Sequence, residues 1–302
     1  MKIFVAGASG ALGRPLLTRL REAGHQVWGM AHRSESLAAI QTLGAEPVQG
    51  NALDRASIFA IVERIRPDIV IDQLTALPAS PFDLPKKLPA DRKLRLEGGG
   101  NLFAAAQTYS VQRYIQQSSG FYLDAPVGLA DEVSPLKVTA PGQIGESARM
   151  YAALEKRVLN ASTLQGTVLR YGFFYGPGTW YWQDGAFSTH LKNGEVSILG
   201  PGDAVFSFIH VEDAADATVA ALTAADGIYN VVDDQPTRVS QWLPAYARWI
   251  GASAPPQLNE REALCLFGEE AVYYHNSLQG AESLKATHDL ALRARRLPWM
   301  SE

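Results

Sequence analysis

The chain has 302 residues, 47% of them hydrophobic, and a formal net charge of -4 at pH 7. These values exclude an intrinsically disordered chain, and the absence of long basic runs argues against nucleic acid or an anionic membrane as partner. Its single cysteine, Cys265, excludes an intrachain disulfide and a two-cysteine metal site. We therefore expect a protein that binds a small molecule and holds no metal.

Strand-like and helix-like patterns alternate from the first residues onward. The opening segment KIFVAG is typical of a buried strand rather than a secretory leader, so a cytoplasmic location is expected. Amphipathic segments such as GRPLLTRLREAG and apolar runs such as PDIVIDQL follow in turn. This alternation predicts βαβ units in an α/β fold with a doubly wound, Rossmann-type parallel sheet. The proline-rich stretch 77–93 is expected to be a surface excursion after the fourth strand.

A glycine-rich turn, GASGALG, directly follows the first strand and opens a helix. Glycines at this spacing let the backbone approach a pyrophosphate and let the helix pack close to the strand, with the helix N-terminus facing the phosphates. The sequence therefore predicts a dinucleotide site. The residues predicted to form it are Gly7, Ser9, Gly10, Ala11, Leu12 and Gly13.

The end of the second strand indicates which nucleotide is bound. In NAD-binding folds an acidic residue there takes the ribose hydroxyls, whereas an arginine accommodates the 2′-phosphate of NADP. This chain has Ala31 at that position, followed by His32, Arg33 and Ser34. The pattern favours NADP(H) as the cofactor over NAD(H).

Further motifs follow along most of the chain. The turn GNALD, which contains Asn51 and Ala52, precedes EGGGNLFAAA, LRYGFFYGPG and FIHVEDAADA. Together they resemble the extended branch of the short-chain dehydrogenase/reductase superfamily, the NAD-dependent epimerase/dehydratase-like family. In that family the turn equivalent to GNALD contacts the adenine, with an aspartate where Asn51 stands here.

The resemblance implies that a nicotinamide nucleotide lies across the carboxyl edge of the sheet. Leu74 and Thr75 are then expected to line the cofactor cleft. The backbone around Tyr171 and Gly172, followed by Phe173, is expected to face the nicotinamide.

The resemblance also implies how the chain is divided. An NADP-binding Rossmann domain is expected over residues 1–170 and 205–232, with a smaller C-terminal substrate-binding lobe over residues 171–204 and 233–302. Family habit implies a homodimer through helices that include residues 147–161.

The family's chemistry uses three side chains. A Ser or Thr after the fifth strand binds the reacting oxygen, a Tyr exchanges the proton, and a Lys one helical turn later lowers the tyrosine pKa. In the segment QQSSGFY either Ser118 or Ser119 could take the first role, and counting back from Tyr122 selects Ser118.

The helix ESARMYAALEK allows two registers. In the first, Tyr151 is the catalytic tyrosine, and Glu155 one turn later would raise its pKa. In the second, Glu155 matches a glutamate that family members carry four residues after the lysine, so Tyr151 takes the lysine position and Ser147 the tyrosine position. We prefer the second register, because ALEKRVLNA continues the family's helix pattern to GTVLRY without a gap. Ser118 and Tyr151 are the predicted catalytic residues, and no cation is expected to activate Tyr151.

Aromatic residues dominate the predicted substrate wall. Nucleotide-sugar members carry an asparagine where Phe173 stands here, and an aromatic wall suits flat or apolar ligands. The alternative is that these aromatics pack the lobe's own core or a subunit contact. The predicted substrate-binding residues are Phe121, Tyr122, Phe173, Trp180 and Trp182.

These patterns favour an NADPH-dependent oxidoreductase that reduces a small apolar or aromatic carbonyl, enone, quinone or imine. Hydride transfer requires the cofactor to be held against an electrophilic carbon. One alternative is a sugar or nucleotide-sugar epimerase or dehydratase, which the missing Tyr-x-x-x-Lys pair and Phe173 disfavour. Another is a regulatory protein that binds NADP(H) without catalysis.

Overall fold

The computed structural model describes residues 1–301, whereas Glu302, the last residue of the predicted lobe, lies outside the described residues. Its strands, in chain order, are β1 Lys2–Ala6, β2 Gln26–Ala31, β3 Glu46–Gln49, β4 Ile69–Asp72, β5 Arg113–Ser119, β6 Gln165–Tyr171, β7 Phe173–Tyr175, β8 Ile198–Leu199, β9 Val205–Phe206, β10 Phe208–His210, β11 Gly227–Val231, β12 Thr237–Arg238 and β13 Gln257–Leu258.

The α-helices connect these strands and cover them. In chain order they are α1 Gly13–Glu22, α2 Glu35–Thr42, α3 Arg55–Ile65, α4 Leu84–Lys93, α5 Gly99–Thr108, α6 Gly142–Leu159, α7 Ala186–Lys192, α8 Val211–Ala220, α9 Val239–Trp249, α10 Glu260–Asn276 and α11 Leu284–Asp289. Among the helices of residues 1–301, none combines the length and apolar character that a membrane crossing requires.

Seven of the strands form one parallel sheet in the order β11-β6-β5-β4-β1-β2-β3. The strand order reverses beside β1, which lies between β4 and β2. Ligands bind in the crevice outside the carboxyl ends of the strands at such a switch point. The prediction of a doubly wound, Rossmann-type parallel sheet is confirmed.

Helices cover both faces of the sheet, and the alternating side chains of β1 show how. Ile3 and Val5 are fully buried in the cluster that includes α1 and α8, and Phe4 and Ala6 in the cluster that includes α3 and α5. A strand buried on both faces is a continuous apolar run, as IFVA is after the exposed Lys2. These two layers fix the carboxyl ends of the strands along one edge.

A smaller aromatic cluster lies at that edge, around Trp242 and Tyr246 of α9 and Phe208 of β10. This cluster is the core of the C-terminal lobe. Helix α11, which the sequence assigns to the lobe, instead packs against β11, because Ala286 and Leu290 are buried in the core of the main sheet.

The proline-rich stretch 77–93 is helical rather than an irregular excursion. It forms a short 3₁₀ turn at Pro81–Asp83 and then α4, and a π-helical turn at Leu94–Gly98 leads into α5. Pro81 and Pro85 lie in first turns, where the missing N–H donor costs nothing. The predicted position on the surface after β4 holds, whereas the helical conformation was not anticipated, because Pro81 and Pro85 begin helices rather than break them.

Candidate cofactor and active site

The glycine turn packs the start of α1 tightly against the sheet. Gly7 has a φ of +81°, and a Cβ added there would lie 2.2 Å from the carbonyl oxygen of Gln73, at the end of β4. A Cβ on Gly13 would lie 2.5 Å from the Ala8 carbonyl oxygen. Both positions therefore require glycine, one for its conformation and contact and the other for close packing of helix on strand.

The outer side of the turn is more open. Among the described residues, a Cβ on Gly10 would meet only the Gly7 carbonyl oxygen, at 3.3 Å. Gly10 is exposed, Ser9 and Ala11 are half-buried, and Leu12 is buried beneath them. Backbone N–H groups here and at the start of α1 are placed as an anion site requires, so the turn fits the pyrophosphate of a dinucleotide.

The turn after β3 borders the same crevice. The Asn51 side chain accepts a hydrogen bond from the Leu53 amide at 3.1 Å, which shapes the turn. The Ala52 carbonyl accepts one from the Asn101 side-chain amide at 3.0 Å, so α5 holds this turn in place.

The ends of β2 and β4 supply the remaining predicted cofactor residues. Ala31 is buried, whereas His32, Arg33 and Ser34 are exposed directly after it. After β4, the Leu74 amide donates to Asp72 Oδ1 at 3.0 Å, and Leu74 is buried while the following Thr75 is half-buried. Because Arg33 is exposed and no acidic residue stands at the end of β2, this part of the crevice leaves room for a 2′-phosphate.

Tyr171 and Gly172 make hydrogen bonds with neighbouring strands and with the core. The Tyr171 hydroxyl shares a 2.6 Å hydrogen bond with Thr218 Oγ1 in the core, and its carbonyl accepts the Gly120 amide at 3.1 Å. The Gly172 amide donates to the Val231 carbonyl at 3.2 Å. These contacts fix the backbone of both residues at the end of β6, and their position facing a nicotinamide stays a prediction.

The two serines that end β5 point to opposite faces, as neighbouring strand residues do. The Ser118 hydroxyl donates to Glu155 Oε1 at 2.6 Å. Ser119 instead lies beside the Tyr151 side chain, whose pKa its hydroxyl lowers in part, and its oxygen accepts the Phe121 amide at 3.1 Å. The structure therefore brings Ser119, not Ser118, to Tyr151, which corrects the sequence prediction.

Tyr151 is buried, with 8% of its surface exposed. Burial raises the pKa of its hydroxyl, and although the Arg95 charge and the neighbouring Ser119 hydroxyl lower that pKa in part, the phenol remains protonated at neutral pH. The Arg95 guanidinium lies 5.4 Å from the centre of the Tyr151 ring. The sequence predicted that no cation activates Tyr151; Arg95 does reach its ring from a separate segment of the chain, but the pKa of the hydroxyl remains raised.

A buried ion pair supports the register in which Tyr151 takes the lysine position. Arg170 donates to both carboxylate oxygens of Glu155, at 2.8 and 2.7 Å, and both side chains are buried. The pair fixes Glu155 toward the sheet. Tyr151, one turn earlier on α6, then faces the end of β5.

Two further tyrosines, Tyr122 and Tyr274, lie near Tyr151. The Tyr122 ring stacks on it at 5.8 Å, and the Tyr122 hydroxyl lies 2.8 Å from that of Tyr274 on α10. Burial raises the pKa of Tyr122, while the hydrogen bond with Tyr274 and the neighbouring Ser147 hydroxyl lower it in part. Ser147, in the tyrosine position of the preferred register, therefore faces a hydroxyl that Tyr122 supplies.

Three phenylalanine rings form a flat stack between the sheet and the lobe. Phe173 stacks on Phe121 at 3.9 Å on one side and on Phe206 at 4.2 Å on the other, with interplanar angles of 14° and 15°. Phe121 and Phe173 are half-buried. Part of this stack therefore remains accessible to a flat ligand.

The two tryptophans lie apart from that stack. The Trp180 indole N–H donates to the Pro78 carbonyl at 3.2 Å, so Trp180 contacts the segment that follows β4. Trp182 packs against Trp249 at 5.4 Å, and its carbonyl accepts the Tyr246 hydroxyl at 3.2 Å. Trp182 thus stabilises the lobe's core, as the alternative interpretation expects, rather than the Phe121–Phe173 face.

Five residues at the candidate site were not selected from the sequence: Arg95, Asp91, Ser119, Tyr274 and Phe206. The spacing of Asp91 and Arg95 indicates an i,i+4 pair on a helix and nothing about a site. Tyr274 and Phe206 lie in segments whose position against the sheet depends on tertiary packing. Only Ser119 had a signal, since QQSSGFY offered two serines.

Comparisons with known proteins agree with this geometry. A model of the NAD dependent epimerase/dehydratase family matches residues 3–232. A 3-diazoavenalumate denitrifying reductase from a Streptomyces species is 36% identical over 99% of this chain and 98% of its own length. The UDP-glucose 4-epimerase of Mycolicibacterium smegmatis is 25% identical over 86% of each chain.

Solved structures show the same fold at lower identity. The UDP-glucose 4-epimerase of Thermus thermophilus in complex with NAD aligns with a TM-score of 0.76 and 23% identity, covering 99% of this chain and 96% of that chain. The corresponding Thermotoga maritima enzyme with UDP-glucose aligns with a TM-score of 0.74 and 22% identity, covering 99% and 95%.

Proposed function

Because the chain belongs to the NAD-dependent epimerase/dehydratase family, we propose that it is an NADPH-dependent reductase of small aromatic or apolar electrophiles. The protonated Tyr151 carries this proposal. Oxidation of a sugar hydroxyl, with which epimerisation begins, needs a base, and a phenol whose pKa is raised by burial is a poor one. Reduction of a carbonyl, enone, quinone or imine consumes a hydride and a proton, and a protonated phenol can donate that proton or a hydrogen bond to the developing anion.

The residues that would carry this function divide into a cofactor side and a substrate side. The glycine turn would hold the pyrophosphate, Arg33 the 2′-phosphate, and Leu74 and Thr75 would border the cleft. When bound, NADPH supplies a hydride. Tyr151 and Ser119 would orient the electrophile toward it.

Within this class we propose a diazo compound as one substrate, following the Streptomyces reductase. Replacing a diazonium group consumes no proton: the C–N bond breaks, its electron pair leaves on N₂, and a hydride bonds to the carbon. A neutral diazo compound takes up one proton in addition, for which the hydroxyls of Tyr151 and Tyr122 are available. The accessible part of Phe121 suits the aromatic ring, since Phe173 is already stacked between Phe121 and Phe206. Loss of the family's tyrosine and lysine is compatible with such a reaction.

The proposal is tested by following NADPH consumption with a panel of substrates. The panel contains an aromatic diazo compound, a quinone, an enone, an aromatic ketone and an imine, with UDP-glucose and UDP-galactose as the epimerase substrates. We expect NADPH consumption with at least one aromatic electrophile and no interconversion of the two sugars. Sugar interconversion would overturn the proposal, and tight NADPH binding with no turnover on any substrate would favour a regulatory protein.

Arg33→Glu is expected to weaken NADPH binding by about tenfold or more, with little loss for NADH, because a charge-assisted hydrogen bond is worth about 1.5–3 kcal/mol. Dissociation constants of both nucleotides from fluorescence titration measure this. Arg64→Glu, an exposed arginine on α3, is the matched charge control. Equal affinity of the unmodified protein for NADPH and NADH would contradict the assignment.

Tyr151→Phe is expected to lower turnover of the best panel substrate by about fivefold or more. A loss of about fivefold lies below the contribution that a positioned proton donor typically makes, and a larger loss lies within it. The loss should fall on kcat, since the ring and its packing remain. Tyr229→Phe is the control, because that hydroxyl bonds the Ala225 carbonyl at 3.0 Å, outside the candidate site. An unchanged kcat in Tyr151→Phe would remove this hydroxyl from the mechanism.

A further inference from the structure

Arg95 occupies an irregular turn beside the candidate site. It lies in the π-helical turn Leu94–Gly98, between α4 and α5, and only 4% of its surface is exposed. Single π-helical turns inside helices are rare and are frequent at functional sites. The turn directs the Arg95 guanidinium to within 5.4 Å of the centre of the Tyr151 ring.

The partners of Arg95 lie on one side of its guanidinium. Its Nε donates to Asp91 Oδ2 at 2.7 Å, and Asp91 Oδ1 accepts the Ala76 amide at 2.6 Å. Its Nη1 is buried and finds no acceptor within residues 1–301. A buried donor without a partner is destabilising, so stability of the fold does not explain this arrangement.

A buried ion pair is also a weak source of stability, since apolar side chains of similar volume often replace one without loss. The Asp91–Arg95 pair, however, contacts both sides of the crevice, namely Tyr151 on α6 and the backbone that follows Thr75. We propose that Arg95 is a positioning residue that supplies the positive charge beside Tyr151 in place of the family's catalytic lysine, which α6 does not carry at that position, while Asp91 couples it to the cofactor cleft. The catalytic part of this inference rests on the proposed function.

The charge acts on the Tyr151 hydroxyl. A cation near a phenol favours the negative charge that develops on its oxygen as a hydrogen bond or proton is donated. Asp91 also confines the guanidinium and holds the Ala76 amide, so movement of this pair would disturb the cleft where Leu74 and Thr75 lie.

Three variants distinguish the effect of the Arg95 charge on the site from an effect on the stability of the fold. Arg95→Met leaves Asp91 buried without its partner and is expected to destabilise the fold. Asp91→Asn/Arg95→Met removes both charges and keeps an oxygen for the Ala76 amide, and Arg95→Lys keeps the charge. Arg113→Met is the matched control, because Arg113 is also a buried arginine but begins β5 at the opposite edge of the sheet.

NADPH affinity is the measurement that needs no substrate. Asp91→Asn/Arg95→Met is expected to raise the dissociation constant of NADPH by about fivefold or more, as disturbance of neighbouring cofactor contacts does, whereas Arg95→Lys and Arg113→Met leave it nearly unchanged. An unchanged constant in the double variant would overturn the inference, even if the protein reduced no substrate.

Turnover tests the coupling to Tyr151. In the unmodified background Asp91→Asn/Arg95→Met is expected to lower kcat by about tenfold, since one pKa unit corresponds to tenfold, and Arg95→Lys should retain most activity. In a Tyr151→Phe background the same double change should have little further effect on kcat. A full tenfold loss in both backgrounds would show that Arg95 does not act through Tyr151.

Discussion

Replacing Gly7 by alanine is expected to weaken NADPH binding by roughly 100-fold, which corresponds to about 2.8 kcal/mol. The substitution combines two penalties. An L residue at a φ of +81° is strained, and the new Cβ would lie 2.2 Å from the Gln73 carbonyl oxygen. Either the phosphate turn or the end of β4 must move, and both border the cofactor crevice.

Fluorescence titration with NADPH and a urea unfolding curve measure the effect of Gly7→Ala. Gly24→Ala is the matched control, since Gly24 has a φ of +79° but an added Cβ would have no neighbour within 4 Å among the described residues. The control should lose only about 1–2 kcal/mol of stability and keep its affinity for NADPH. Equal NADPH affinity in Gly7→Ala and the unmodified protein would show that this turn does not hold the nucleotide.

Removing the carboxylate of Glu155 is expected to be the most destabilising change at the candidate site. In Glu155→Ala the buried Arg170 loses both of its 2.7–2.8 Å ionic hydrogen bonds, and Ser118 loses its acceptor. Breaking a buried ion pair by deleting one partner costs about 3–5 kcal/mol of unfolding free energy. A large fall in the urea midpoint, with an unchanged slope, would report this loss.

Lys156→Ala controls for the loss of a charged side chain from α6. Lys156 is the next residue but is exposed, so its removal should change the free energy of unfolding by about 0.5 kcal/mol or less. Similar small effects of both substitutions would contradict the register in which Glu155 faces the sheet and Tyr151 the site.

The parts of the site that lie close together in the sequence were predictable. The glycines at positions 7, 10 and 13 follow a strand and open a helix, and their conformational needs determine both their spacing and their contacts. The choice of register for α6 was also available, because Glu155 and Arg170 belong to adjacent motifs.

Other parts depend on tertiary contacts that no local pattern specifies. Ser118 and Ser119 differ by one position, but one position on a strand reverses the face, so counting from Tyr122 could not choose between them reliably. Arg95 reaches Tyr151 from a π-helical turn that no local sequence pattern indicates. Trp182 belongs to the aromatic segment that the sequence predicts as a substrate wall, yet it packs on Trp249 within the lobe.

The account as a whole depends on hydride transfer from NADPH to an aromatic electrophile. The most direct measurement uses NADPH deuterated in turn on each face of the nicotinamide, with an aromatic diazo compound as substrate, and analyses the product by mass spectrometry. We predict that one of the two labels appears on the carbon that carried the diazo group, in proportion to the N₂ released. Consumption of NADPH without deuterium in the product, or tight NADPH binding with no product from this or any other panel electrophile, would contradict the account.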